Sequence, residues 1–123
     1  MTAWFILYVA DLDASRDFYA AALDAAPTLD VPGMVTFDLG GATLGLMPEA
    51  GIERILPGLD AGHRGTSRAE VYVVVEDPAA CHARALAAGA EELSPLAPRG
   101  WGDAAAYCRD ADGHVLAFGC PLQ

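Results

Sequence analysis

Lysine is absent from this chain of 123 residues, and seven arginines face seventeen acidic residues, for a formal charge of -10. Such a balance repels a phosphate backbone and argues against a nucleic-acid partner. Beyond the solvated surface that acidity ordinarily provides, it favours cationic over anionic ligands. Cysteine is scarce: Cys81, Cys108 and Cys120 are an odd, scattered set without a CxxC pair, which argues against a disulfide framework and against a zinc ribbon. Although 54% of the residues are hydrophobic, no apolar run approaches the roughly 20 residues that a membrane helix needs. The start is strand-like almost from Met1 and lacks the basic, apolar and small-residue segments of a secretory signal. A cytoplasmic protein with reduced thiols and no membrane partner is therefore expected.

What the sequence does contain is one plan written twice. Phe5 to Val9 reads as an apolar strand, followed by Ala10-Asp11-Leu12-Asp13 and an alanine-rich helical stretch carrying Phe18, Tyr19 and Leu23. Val71 to Val75 repeats the strand; Asp77 then suits an N-cap, Pro78 the first helical position and Gly89 a left-handed close. Setting Val9 against Val75 also pairs Asp11 with Asp77. Each helix leads to a hairpin: Val35 to Leu39 turns through Gly40-Gly41 into Ala42 to Met47, and Ala104 to Arg109 turns through Asp110 to Gly113 into His114 to Gly119. Thr28 to Val31 and Glu91 to Ser94 add one strand to each half, giving β-α-β-β-β twice. The length suits a single domain over 1–123, with module 1 at about 1–50 and module 2 at about 68–123. A linker at about 51–67 lies in the Gly-, Pro- and charge-rich stretch Glu49 to Ser67, with a short helix predicted around Ile52 to Leu56.

Asp-Leu-Asp-Ala-Ser-Arg-Asp-Phe-Tyr after a strand, Leu39-Gly40-Gly41 in one hairpin and Asp110 to Leu116 in the other resemble the vicinal oxygen chelate superfamily of glyoxalases, bleomycin-resistance proteins and extradiol dioxygenases. The resemblance spans nearly the whole chain. It implies an α+β fold in which two βαβββ modules form open-barrel sheets around a pocket, often completed in a homodimer. It also implies a ligand position near the start of each module's first strand, here Trp4 and Glu70, and one in each last strand, here Gly45 and Ala117. A transition metal needs three or four converging donors, and this set offers only the Glu70 carboxylate. His63 in the linker, His82 on a helix and His114 beside a turn share no spacing that joins them, and each reads as a surface or capping residue. No metal ligand and no cofactor are expected.

Because side chains alternate along a strand, Trp4, Ile6 and Tyr8 share one face, while Phe5, Leu7 and Val9 share the other and should pack under the helices. By the repeat, Glu70, Tyr72 and Val74 face the pocket, and Val71, Val73 and Val75 join the core. Trp4, Tyr8, Thr43, Met47, Glu70, Tyr72, Trp101 and Tyr107 are thus the candidate ligand-binding residues, an aromatic lining suited to a planar or amphiphilic small molecule. Glu70 is the candidate catalytic residue; burial among Trp4, Tyr72 and Met47 would raise its pKa and suit it to proton transfer, whereas Arg99 or Arg68 would make it an inert ion pair. Cys81 and His82 are adjacent on a helix and diverge by about 100°, so they form no dyad. Three readings follow: a binding protein for a small aromatic or cationic compound, a metal-independent lyase or isomerase using Glu70 as base, and a structural or regulatory homodimer with a filled pocket. Binding without catalysis is the leading one.

Overall fold

A computed structural model describes all residues, Met1–Gln123. Eight strands and three helices follow in the order β1 (Trp4–Val9), α1 (Leu12–Leu23), β2 (Leu29–Val31), β3 (Met34–Asp38), β4 (Thr43–Pro48), α2 (Glu49–Ile55), β5 (Glu70–Val74), α3 (Pro78–Ala87), β6 (Glu91–Pro98), β7 (Asp103–Arg109) and β8 (Val115–Pro121). They form two four-stranded mixed sheets, ordered β1-β4-β3-β2 and β5-β8-β7-β6. The first strand of each module runs parallel to its last, and the remaining pairs are antiparallel. The chain divides into two compact units, Met1–Ala20 with Ala25–Arg64, and Ala21–Asp24 with Gly65–Gln123.

The duplicated helix entries are duplicated in atoms. Asp11 Oδ1 accepts the backbone N–H of Ala14 at 3.0 Å, and Asp77 Oδ1 accepts that of Ala80 at 3.1 Å, each satisfying a donor that the first helical turn leaves without a partner. The exits match as well. Ala90 N donates to Ala85 O and Ala25 N to Ala20 O, the wide bond of a left-handed helix close. Gly89 takes that conformation in α3 at φ 112°, whereas α1 uses Asp24 at φ 51°, the one non-glycine residue of the chain with positive φ.

In the first unit the core sits on the inner strands, where Val35, Phe37, Leu44 and Leu46 are fully buried, and α2 packs against β1 and β4 while burying Ile52. In the second unit Ala106, Cys108, Leu116 and Phe118 are fully buried, and α3 packs on β6, β7 and β8. Both hairpins close as expected. Leu39 N donates to Ala42 O across Gly40-Gly41, and the buried Asp110 side chain accepts the N–H groups of Asp112 and His114 across the second turn.

Three expectations need correction. Phe5 was assigned to the core face but is 59% exposed, and among Phe5, Leu7 and Val9 only Val9 is fully buried. Likewise Val71, Val73 and Val75 are half-buried rather than core. The reason is position: β1 and β5 are the outermost strands of their sheets, so the inner strands take most of the cover. Next, β6 does not stop before Pro95 but runs to Pro98, with register shifts between Glu92 and Ser94 and between Ser94 and Ala97. An outer strand tolerates a residue that cannot donate to the ladder, provided the register gives way beside it. Finally, His82 is a buried residue, its Nε2 2.9 Å from Glu92 Oε2, and so ties α3 to β6 rather than lying on the surface.

Candidate functional site

In the first unit, the parallel pairing sets Trp4 beside Thr43, Ile6 beside Gly45 and Tyr8 beside Met47, so one sheet face carries all four residues expected there: Trp4, Tyr8, Thr43 and Met47. Trp4 is 54% exposed, and the other three are half-buried. Gly45 lies at the centre of this face. A Cβ there would stand 3.0 Å from Ile6 Cγ1 and 3.6 Å from Met34 Sδ, so those two side chains occupy the space over its backbone. The face is apolar apart from the Tyr8 and Thr43 hydroxyls, Thr36 and Asp38.

The second unit carries a different surface on the corresponding face. Tyr72, Ala117 and Tyr107 form one row across β5, β8 and β7, and Glu70, Val115 and Arg109 form the next. The Tyr72 phenol donates to Asp103 Oδ2 at 2.7 Å and accepts the Trp101 indole N–H at 3.2 Å. Trp101 belongs to no strand; it sits in the tight β6–β7 turn, where Arg99 N donates to Asp103 O and Leu122 N to Gly102 O, and it is 58% exposed. Tyr72 lies diagonally over Gly119, whose missing side chain makes room for it: a Cβ would be 2.2 Å from the phenol oxygen. Beside it, the Arg99 guanidinium stands 5.3 Å from the centre of the Tyr107 ring, its Nε and Nη2 donating to Ala105 O and its Nη2 also to Ser94 Oγ and Pro95 O.

Electrostatics follow from this crowding. Burial, together with the hydrogen bond to Asp103, raises the Tyr72 phenol above its ordinary pKa, against the opposing effect of the Trp101 N–H. Tyr107 is raised by burial and by the charge of Glu70, while Arg99 opposes the rise. Both phenols therefore keep their protons at neutral pH and act as hydrogen-bonding groups rather than bases. Glu70 itself is exposed rather than buried and makes no ion pair, because Arg99 is turned to backbone carbonyls and no salt bridge involves Arg68. The thiols of Cys81 and Cys108 are buried and none of the three cysteines is bridged; burial pushes Cys108 up to about 11.

The sequence model of the Glyoxalase/Bleomycin resistance protein/Dioxygenase superfamily matches residues 2–118. The chain belongs to this superfamily. Its fold agrees. A glyoxalase-related enzyme from Fulvimarina pelagi superposes with a TM-score of 0.85 at 23% identity, covering 98% of this chain and 87% of the other. A glyoxalase/bleomycin resistance protein/dioxygenase family enzyme from Burkholderia phytofirmans also reaches a TM-score of 0.85, at 17% identity and 98% coverage of both chains. TioX from a Micromonospora species gives 0.74 at 24% identity, with 99% of each chain covered. No curated protein matches.

Against the superfamily's metal-binding pattern, the donor set does not fit a transition metal. Trp4, Gly45 and Ala117 carry no ligating atom; Gly45 is covered by Ile6, and Ala117 is fully buried in its sheet. No three His, Cys, Asp or Glu residues come together anywhere in the chain. A cavity of about 500 Å³ opens at the carboxy-terminal end of β5 and β8, lined by Val74, Val75, Glu76, Cys120, Pro121 and Gln123. None of the expected site residues lines it.

Alternation along the sequence put Glu70 and Tyr72 on one face and named Tyr107 as a further candidate; the register sets Tyr107 on that face across β8, beside Asp103, which sequence reasoning passed over. The available signal was an acid directly after Trp101-Gly102, at the start of a strand that continues with Ala104, Ala105 and Ala106.

Proposed function

We propose that this superfamily member binds a small aromatic or cationic molecule on its aromatic sheet faces, without a catalytic metal. Trp4, Tyr8, Thr43 and Met47 line the face of the first unit, and Glu70, Tyr72, Trp101 and Tyr107 line that of the second. The observation that carries this reading is that three of the superfamily's four ligand positions, Trp4, Gly45 and Ala117, offer no ligating atom, beside the exposed indoles of Trp4 and Trp101 and the half-buried phenols of Tyr8, Tyr72 and Tyr107. Binding energy of that kind comes from aromatic area and a few polar contacts.

The test is calorimetry of the purified protein, alongside elemental analysis, against bleomycin-like glycopeptides and planar aromatic antibiotics. Stoichiometric binding with no bound zinc, nickel or iron is expected; tightly held metal on protein donors would overturn the reading, as would silence across a broad panel. Glu70 is exposed, without the burial that would suit a general base; a lyase or isomerase reaction running through it would be abolished in Glu70→Gln with binding spared.

The chain also pairs with a second copy in this proposal. The support is the outer strand β1, where Trp4, Phe5 and Ile6 are exposed in succession beside an open hydrogen-bonding edge. Light scattering should give twice the chain mass.

A further inference from the structure

We propose that Tyr72, Asp103 and Trp101 form the polar anchor of the binding site, and that it takes the protonated nitrogen of a planar aromatic cation. This rests on the small-molecule reading and specifies the class of ligand.

The argument is one of hydrogen-bond supply. The Tyr72 proton is committed to Asp103 Oδ2, and the Trp101 N–H to the Tyr72 oxygen. Both donors of the cluster are therefore spent inside it. What remains open is acceptor capacity: Asp103 Oδ1, which takes no hydrogen bond from the protein, and the second lone pair of the phenol oxygen. A ligand carboxylate or phosphate would find no donor there, whereas an ammonium or amidinium N–H would find two acceptors.

The charges of the same face agree. Arg99 is held by Ser94, Pro95 and Ala105, and Arg109 by Glu91 at 3.3 Å, while the Glu70 carboxylate, one row from Tyr72, has no cationic partner. Arg99 keeps its charge because its acceptors are neutral, but with Arg109 offset by Glu91 the carboxylates of Glu70 and Asp103 outweigh it, so the net charge of this face is negative. Its rings already hold one cation, since Arg99 lies over Tyr107 at 5.3 Å, and the exposed indole of Trp101 offers a second π surface for the flat part of a ligand. Gly119 completes the device, because only a residue without a side chain leaves Tyr72 its place between Asp103 and Trp101.

The experiment compares three probes of one shape by calorimetry at neutral pH: 9-aminoacridine as the cation, acridine as the neutral ring and acridine-9-carboxylate as the anion. The cation should bind about 10-fold or more tighter than the neutral ring, as a hydrogen bond to a charged group implies. Asp103→Asn should erase that preference while leaving acridine nearly unchanged, and Tyr72→Phe should reduce it. Melting temperatures of both variants report their folding, and the wild-type ranking of probes is decisive even if one variant does not fold. Equal binding of all three probes, preference for the carboxylate, or undiminished preference in Asp103→Asn would overturn the anchor and leave small-molecule binding standing. Silence from all three would overturn both.

Discussion

The two units share a strand order, a parallel first-to-last pairing and an aspartate cap at the same point, yet their comparable faces differ in chemistry. Beside the central Gly45 the first unit sets Ile6; at the equivalent place the second unit sets Tyr72 beside Ala117 and swings it over Gly119. The centre of one face is therefore covered by Ile6 and the Met34 thioether, with Trp4 and Tyr8 to either side, and the other is organised by a phenol, an indole and a carboxylate. The two units share the devices that shape the backbone and differ in the side chains that their faces present.

The largest expected effect tests whether Tyr72 depends on Gly119. Gly119→Ala places a methyl 2.2 Å from the phenol oxygen, and should cost about 1–3 kcal/mol in urea unfolding as the ring is displaced. Gly45→Ala meets only the tip of Ile6 at 3.0 Å, which can shift, so its cost should be clearly smaller. Equal losses at the two glycines would mean that the units are held by the same packing after all.

A smaller effect separates the helix exits. Asp24 spends strain in a left-handed conformation that Gly89 adopts freely, so Asp24→Gly should raise stability by up to about 1 kcal/mol, while Gly89→Ala should lower it by a similar amount. Thermal melts of the two variants shifting in the same direction would contradict this.

The smallest and slowest difference lies at alkaline pH. Tyr72, Tyr107 and Cys108, all in the second unit, have folded pKa values above their ordinary ones, so each favours the folded state while protonated. For Cys108 that contribution is complete below about 9 and is lost as pH rises through about 11; for the tyrosines the loss begins near their ordinary pKa of about 10. Stability should therefore fall across this window, and Cys108 should react with a thiol reagent only as the second unit opens, after the half-buried Cys120. Modification of Cys108 in the native protein at neutral pH would refute the assignment.

Much of the fold was legible because its signals are local. The Asp11 and Asp77 caps, the Gly40-Gly41 and Asp110 to Gly113 turns and the alternation of β4 and β8 act between residues close in sequence. The exposure of Phe5 was not legible, since whether an alternating strand is covered depends on its place in the sheet, and β1 is outermost. Nor was the burial of His82, which follows from a partner, Glu92, on a strand that its own helix does not predict.

By itself, the sequence determined the doubled β-α-β-β-β plan, the membership in the superfamily and the loss of donors at its ligand positions, because residue type and short-range periodicity suffice for these. Tertiary structure alone decided that Tyr72, Asp103 and Trp101 meet, and that Arg99 turns away from Glu70. Those residues come from a strand, the start of another strand and a turn as much as 31 positions away, and only sheet register and the vacancy above Gly119 bring their atoms within bonding distance.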